Sequence, residues 1–147
     1  MRHIAFTFTF IFCTIVAAPS YAMSEAEYQK EWCAKHNGEI NYKTQESSTV
    51  DCLTNNYSIE FDFAEKWVQS MRKSRDQSLS TGKLPGVVLI LQNSADENYL
   101  FKLREVVEKR RLGIKIWTVG RDVELPCDIK GDVDNDGDKI YHIIGQQ

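Results

Sequence analysis

The sequence predicts an α/β domain of order α-β-β-β-α-β-α-β, in which a three-stranded antiparallel meander is continued by parallel strands and flanked by helices. Three observations predict it. Two short extended runs flank Asn55-Asn56 and alternate polar with apolar residues between Val50 and Phe63, the period of a strand. Gly86 to Leu91 reads GVVLIL, the continuous apolar run of a strand covered on both faces. Three further stretches carry apolar residues at helical spacing, and each is closed by glycine or by Asn-Gly.

The elements follow in order. Residues 1–22 read as a signal peptide: Arg2 and His3 form its basic start, Ile4 to Ala18 its apolar segment, and Ser20-Tyr21-Ala22 its cleavage site. The apolar segment is too short for a confident membrane span, so an exported chain starting at Met23, with no stable span after cleavage, is expected. Cys13 then belongs to the removed peptide. Export implies an oxidising compartment. Of the remaining cysteines, Cys33 and Cys52 are expected to pair, pinning the first helix to the hairpin. Cys127 is then buried or paired with another chain, and no surrounding pattern supports a catalytic thiol.

Ser24 to Glu27 fits a capping box, opening a helix to about His36 with Tyr28 and Trp32 toward the core. His36 sits where a histidine serves the helix dipole. Glu39 to Lys43 is the first strand. Asn55-Asn56 suits a left-handed turn between the next two. A second helix is expected over 64–80, with Trp67, Met71 and Leu79 as its apolar stripe. A third is expected over 95–112, with Tyr99, Leu100, Leu103, Val106 and Val107 inward and Gly113 as its cap. Ile114 to Val119 is a strand, parallel to the previous one. The domain therefore covers 23–125.

Residues 126–147 are polar and acidic and are expected to dock loosely. Asp132 to Gly137 resembles the start of a calcium loop, but position twelve, which needs a bidentate Glu, is Ile143. A polar turn before Lys139 to Ile144 is the better reading.

The chemistry concentrates on the hairpin. Asp51 points away from Val50 and Cys52, and Glu60 and Asp62 point away from Ile59, Phe61 and Phe63. If the strands pair, the three carboxylates crowd one face. Burying them is costly without a cation, and a hard divalent ion would relieve the cost; the alternative is a solvated acidic face. The net charge of -3 excludes a uniformly basic nucleic-acid binder. Between Lys66 and Arg121, however, twelve Lys/Arg stand against five Asp/Glu. Such asymmetry sets a basic face beside an acidic pocket, which suits a phosphodiester approaching a metal, or simply gives two solvated helices.

This order, with acids on the second and third strands, resembles the PD-(D/E)xK nuclease superfamily, the restriction-endonuclease-like fold. The resemblance implies Asp51 as the strand-two acid, Glu60 as the strand-three acid and Glu39 as an upstream acid. Asp51, Glu60 and Asp62 would hold Mg²⁺ (or Mn²⁺). The family's lysine position falls on Asp62, so Lys66 from the next helix would supply that charge. Arg72, Lys73 and Arg75 would contact the nucleic-acid backbone. The implied activity is metal-dependent hydrolysis of nucleic acid. The alternatives are a catalytically inactive relative that binds nucleic acid or a protein partner in the cell envelope, and a small structural envelope protein.

Asp51 to Ile90 also resembles a set of small exported bacterial proteins through Asp51-Cys52-Leu53-Thr54, Ile59 to Trp67 and Thr81 to Ile90. Their Gly-Gln falls here on Arg72-Lys73. Ile129-Lys130-Gly131 and Gly137 to His142 resemble a short module found beside thermonuclease-like exported domains, with Ile144 in place of its Pro.

Overall fold

The computed structural model describes residues 23–121, 129–133, 137 and 139–143. The expected signal peptide with Cys13, and also Cys127, lie outside these residues. Helix α1 (Glu25–Lys35) is followed by β1 (Glu39–Lys43), β2 (Thr49–Leu53) and β3 (Tyr57–Phe63). A 3₁₀ turn (Ala64–Lys66) leads into α2 (Trp67–Thr81) and β4 (Leu84–Leu91). A second such turn (Ser94–Asp96) leads into α3 (Glu97–Lys109) and β5 (Lys115–Gly120).

The five strands form one mixed sheet in the order β1-β2-β3-β4-β5. β1, β2 and β3 pair antiparallel, and β3, β4 and β5 pair parallel. This is an α/β domain with helices on both faces. The tail is more ordered than its composition suggests: β6 (Ile129–Val133) and β7 (Lys139–Ile143) form a separate antiparallel ladder. Residues 134–136 of the calcium-loop-like stretch lie outside the described residues.

Each face of the sheet has its own core. On one side α1 lays Trp32 and Cys33 against Cys52, Ile59, Phe61, Val88 and Trp117. On the other, Leu100, Leu103 and Val107 of α3 pack on Val87, Leu89 and Leu91, with Trp67 and Met71 of α2 at the margin. β4 is buried along both faces as its apolar run predicts. The α1 capping box forms as read, with Ser24 and Glu27 bonding each other's backbone amides.

The disulfide joins Cys33 to Cys52, with Cα atoms 5.8 Å apart. It explains Gly38. The left-handed residue that ends α1 is Asn37, with φ of 51°. Gly38 is needed for space, since a Cβ there would overlap both sulfurs.

Several local expectations change. Neither Asn55 nor Asn56 has positive φ. Thr54 closes the turn instead, its amide donating to the Tyr57 carbonyl at 2.9 Å and its hydroxyl accepting the Tyr57 amide at 3.0 Å. Leu79 is 85% exposed and does not belong to the inward stripe of α2. That stripe is polar: Ser70, Ser74 and Gln77 are the buried residues. α3 ends earlier than expected, and Arg111 takes a left-handed turn with φ of 50° before Gly113.

Gly38→Ala should lower stability by about 1–3 kcal/mol, the usual cost of overpacking a filled site. Urea unfolding checks this. Most of the loss should vanish in a Cys33→Ala, Cys52→Ala background, where the sulfurs are absent.

Candidate functional site

The acidic face of β2 and β3 is not solvated. Glu60 is 0% and Asp62 3% exposed, because α2 lies over them with its serine and glutamine stripe. A buried carboxylate needs partners, and α2 supplies them. Gln77 Nε2 donates to Glu60 Oε2 at 2.9 Å and to the Thr49 carbonyl at 2.9 Å. Lys73 Nζ donates to Glu60 Oε1. Ser70 Oγ donates to Asp62 Oδ2 at 3.3 Å. Lys66 Nζ lies 2.9 Å from Asp62 Oδ1, yet that buried oxygen has no aligned hydrogen bond, so the contact is an ion pair held by charge.

The backbone opens beside these residues. The β2–β3 ladder pairs Cys52 with Ile59 and Leu53 with Ser58. Past that point Phe61 N–H donates 2.9 Å to Asp51 Oδ2 instead of to β2 backbone. The Asp51 side chain thus sits in the wedge between two diverging strands, beside Glu60. From α1, Gln29 Nε2 fixes the wedge by donating 2.6 Å to the Asp51 carbonyl. Glu25, in the first turn of α1, reaches within 3.8 Å of Lys66 Nζ.

The electrostatics follow from this crowding. Burial raises the Asp51 pKa against the Phe61 amide and Lys73, which lower it. Burial and then the Asp51 charge push Glu60 up to about 7 against Lys73 and Gln77. Burial and then Asp62 raise Glu25. Partial burial works to lower the Lys73 pKa, but the bond and charge of Glu60 outweigh it and raise it. Lys66 is raised by its contact with Asp62.

Asp51, Glu60 and Asp62 therefore share one face, as the hairpin pattern predicts, and Lys66 joins them through Asp62. Glu39 does not join. It stands exposed on the edge strand β1 opposite Leu53, and the upstream acid near the cluster is Glu25. Lys73, expected on the nucleic-acid backbone, instead bonds Glu60. Arg72 and Arg75 remain exposed. Arg72 lines a groove of about 390 Å³ together with Lys66 and Lys73, and both arginines line a second groove of about 360 Å³ farther along α2. Gln77, Ser70 and Glu25 escaped the sequence reading. The available signal was a polar stripe at helical spacing in α2, the complement of a strand with a buried polar face.

The donor chemistry suits Mg²⁺, which is commonly held by one or two carboxylates while water and substrate phosphate complete its shell. Asp51 and Glu60 provide such a pair, and the buried Gln77 Oε1 has no hydrogen-bond donor among the described residues. Among those residues no three His, Cys, Asp or Glu form a group able to hold a metal by themselves. The disulfide is compatible with an exported protein, and no described helix is long and apolar enough to cross a membrane.

Comparison with protein-family models, curated proteins and solved structures finds no match to this chain.

Glu60 should also shape the pH dependence of stability. Its folded pKa lies above the ordinary value of 4.5. The folded state therefore holds the proton more tightly, and its contribution is full below about 4.5 and lost as pH rises through about 7. Glu60→Gln removes this titration. Thermal unfolding should show the variant gaining on the parent between pH 5.5 and 8.5; a constant difference contradicts the assignment.

Proposed function

We propose that the chain is a metal-dependent hydrolase of nucleic-acid phosphodiesters, of the PD-(D/E)xK kind that its sequence resembles. The carrying observation is the Asp51–Glu60–Lys73 constellation: two carboxylates from diverging strands, with an ammonium group delivered onto the second by α2. In this reading Lys73 takes the role that the resemblance implied for Lys66, and it compensates for Asp62 at the family's lysine position.

Asp51 and Glu60 would hold Mg²⁺, which when bound polarises a phosphate and acidifies water. The protein's own groups account for the remainder. Glu60, raised by burial and the Asp51 charge in the metal-free chain, would be held ionised once it takes up the cation, and the attacking water gives its proton to solvent. As the water oxygen bonds to phosphorus, the bond to the leaving oxygen breaks and that oxygen takes a proton from solvent. Lys73, half exposed at the mouth of the site, stabilises the charge that develops on the phosphate. Arg72 and Arg75 lie along the adjoining grooves, where they would meet the backbone without reading sequence. Asp62 and Lys66 form a supporting pair that keeps α2 seated.

A second reading, an inactive relative that binds nucleic acid or an envelope partner, draws on a specific observation: the Lys73 ammonium already neutralises Glu60, as a relict site would require.

Cleavage of plasmid, single-stranded DNA and RNA in Mg²⁺, Mn²⁺ and EDTA separates the readings. The hydrolase reading expects metal-dependent cleavage that Asp51→Ala and Glu60→Ala abolish. Lys73→Met should slow it roughly 10²-fold or more, the usual cost of losing one transition-state donor, and Lys66→Met should slow it less than about 10-fold. No cleavage of any substrate by folded protein, with nucleic-acid binding retained, favours the second reading.

A further inference from the structure

Glu39 stands outside the carboxylate cluster, on a strand with an open edge. β1 is one outer strand of the five-stranded sheet, whereas β7 lies against the strand at the other edge, β5. Four of the five β1 residues are exposed and Tyr42 is half-buried. Ile40 is 42% exposed, a large apolar side chain left at the sheet edge. Such an edge presents unpaired backbone N–H and C=O groups, a template for another strand.

The sequence of β1 is complementary to itself. It reads Glu39-Ile40-Asn41-Tyr42-Lys43. A second copy running antiparallel and centred on Asn41 therefore meets Glu39 with Lys43 and Ile40 with Tyr42. Opposite charges, and an aromatic ring against a β-branched chain, are favourable cross-strand pairs. A parallel copy in register would instead set glutamate against glutamate and lysine against lysine. Both charges are available: Glu39 and Lys43 make no ion pair among the described residues, and Lys43 donates to the Thr49 hydroxyl.

The shape of the edge narrows the choice of partner. Asn41 has φ of 55°, and Gln29 Nε2 donates 3.3 Å to its side-chain oxygen. This left-handed residue kinks the strand without adding to it, since Glu39, Ile40, Tyr42 and Lys43 keep one register with Leu53, Cys52, Val50 and Thr49. A kinked edge fits a straight strand poorly. A second copy related by a two-fold axis brings its own kink to the same point, with matching arms on either side.

We propose that β1 pairs antiparallel with β1 of a second copy, about a two-fold axis through Asn41. Such an interface is isologous and closes at two chains. The two five-stranded sheets become one. The axis stands perpendicular to that sheet, so both carboxylate clusters face the same side of it. The pairing does not depend on what those clusters do, and it stands or falls apart from the hydrolase reading.

Sedimentation velocity of the protein over about 1–100 μM, a range that spans micromolar affinities, tests this. The parent should pass from monomer to dimer. Glu39→Lys alone and Lys43→Glu alone each set like charges opposite one another at both ends of the ladder, and each should weaken self-association at least about tenfold. Mixed in equal amounts, the two single variants should pair with each other. The double variant Glu39→Lys, Lys43→Glu should regain self-association to within about threefold of the parent. Lys102→Glu, a charge change on α3, should leave it unaltered. A monomer at every concentration, a dimer that neither single variant weakens, an equal loss in Lys102→Glu, or a charge exchange that restores nothing while circular dichroism stays parental overturns the proposal.

Discussion

The packing of α2 on the carboxylate face of β2 and β3 is the constraint from which the candidate site follows. Glu60 and Asp62 are buried, and buried acids without partners would oppose folding. The helix above them consequently turns inward a stripe of Ser70, Ser74 and Gln77 where a sheet-packing helix would ordinarily place apolar residues. Lys73 reaches across from the same helix to Glu60. The arrangement gives up apolar burial over this part of the sheet and keeps two carboxylates whose burial raises their pKa values, with the Asp51 charge adding to the rise at Glu60. Such a trade is characteristic of a functional surface.

The two faces of the sheet divide the work. On the α1 side, a disulfide, an edge-packed aromatic cluster and Gly38 hold β2 firmly beneath the helix. On the α2 side, the same β2 presents Asp51 into a wedge where the ladder with β3 has ended. Alternation along the strand links the faces: Cys52 is locked on one, so Asp51 is aimed at the other. Gln29 strengthens that link by bonding the Asp51 carbonyl from α1.

The element order through β5, the burial of β4 and the capping box were legible in the sequence because each rests on local pattern, whereas the Cys33–Cys52 pairing was expected without one and is present. The shared face of Asp51, Glu60 and Asp62 was legible too, since strand periodicity dictates it once β2 and β3 pair. The partners of those acids were not legible. Which lysine meets which carboxylate depends on how far α2 is rotated above the sheet, and the expected apolar stripe does not settle it: Trp67 and Met71 pack on the core as expected, but Leu79 is exposed. Glu39 lies on the strand next to Asp51, yet it stands exposed at the sheet edge, whereas Glu25 comes near from a helix end whose placement only tertiary packing decides. The β6–β7 ladder was missed because its strands are only five residues each and lie in a polar stretch.

The most direct test of this account is the titration of the Glu60 side-chain carboxyl carbon by NMR, in the parent chain and in Asp51→Asn. A midpoint near 7 that falls in the variant, while staying above the ordinary value because burial is unchanged, is the predicted result. A midpoint near 4.5 in both proteins would contradict it, showing a carboxylate that is neither buried beneath α2 nor coupled to Asp51.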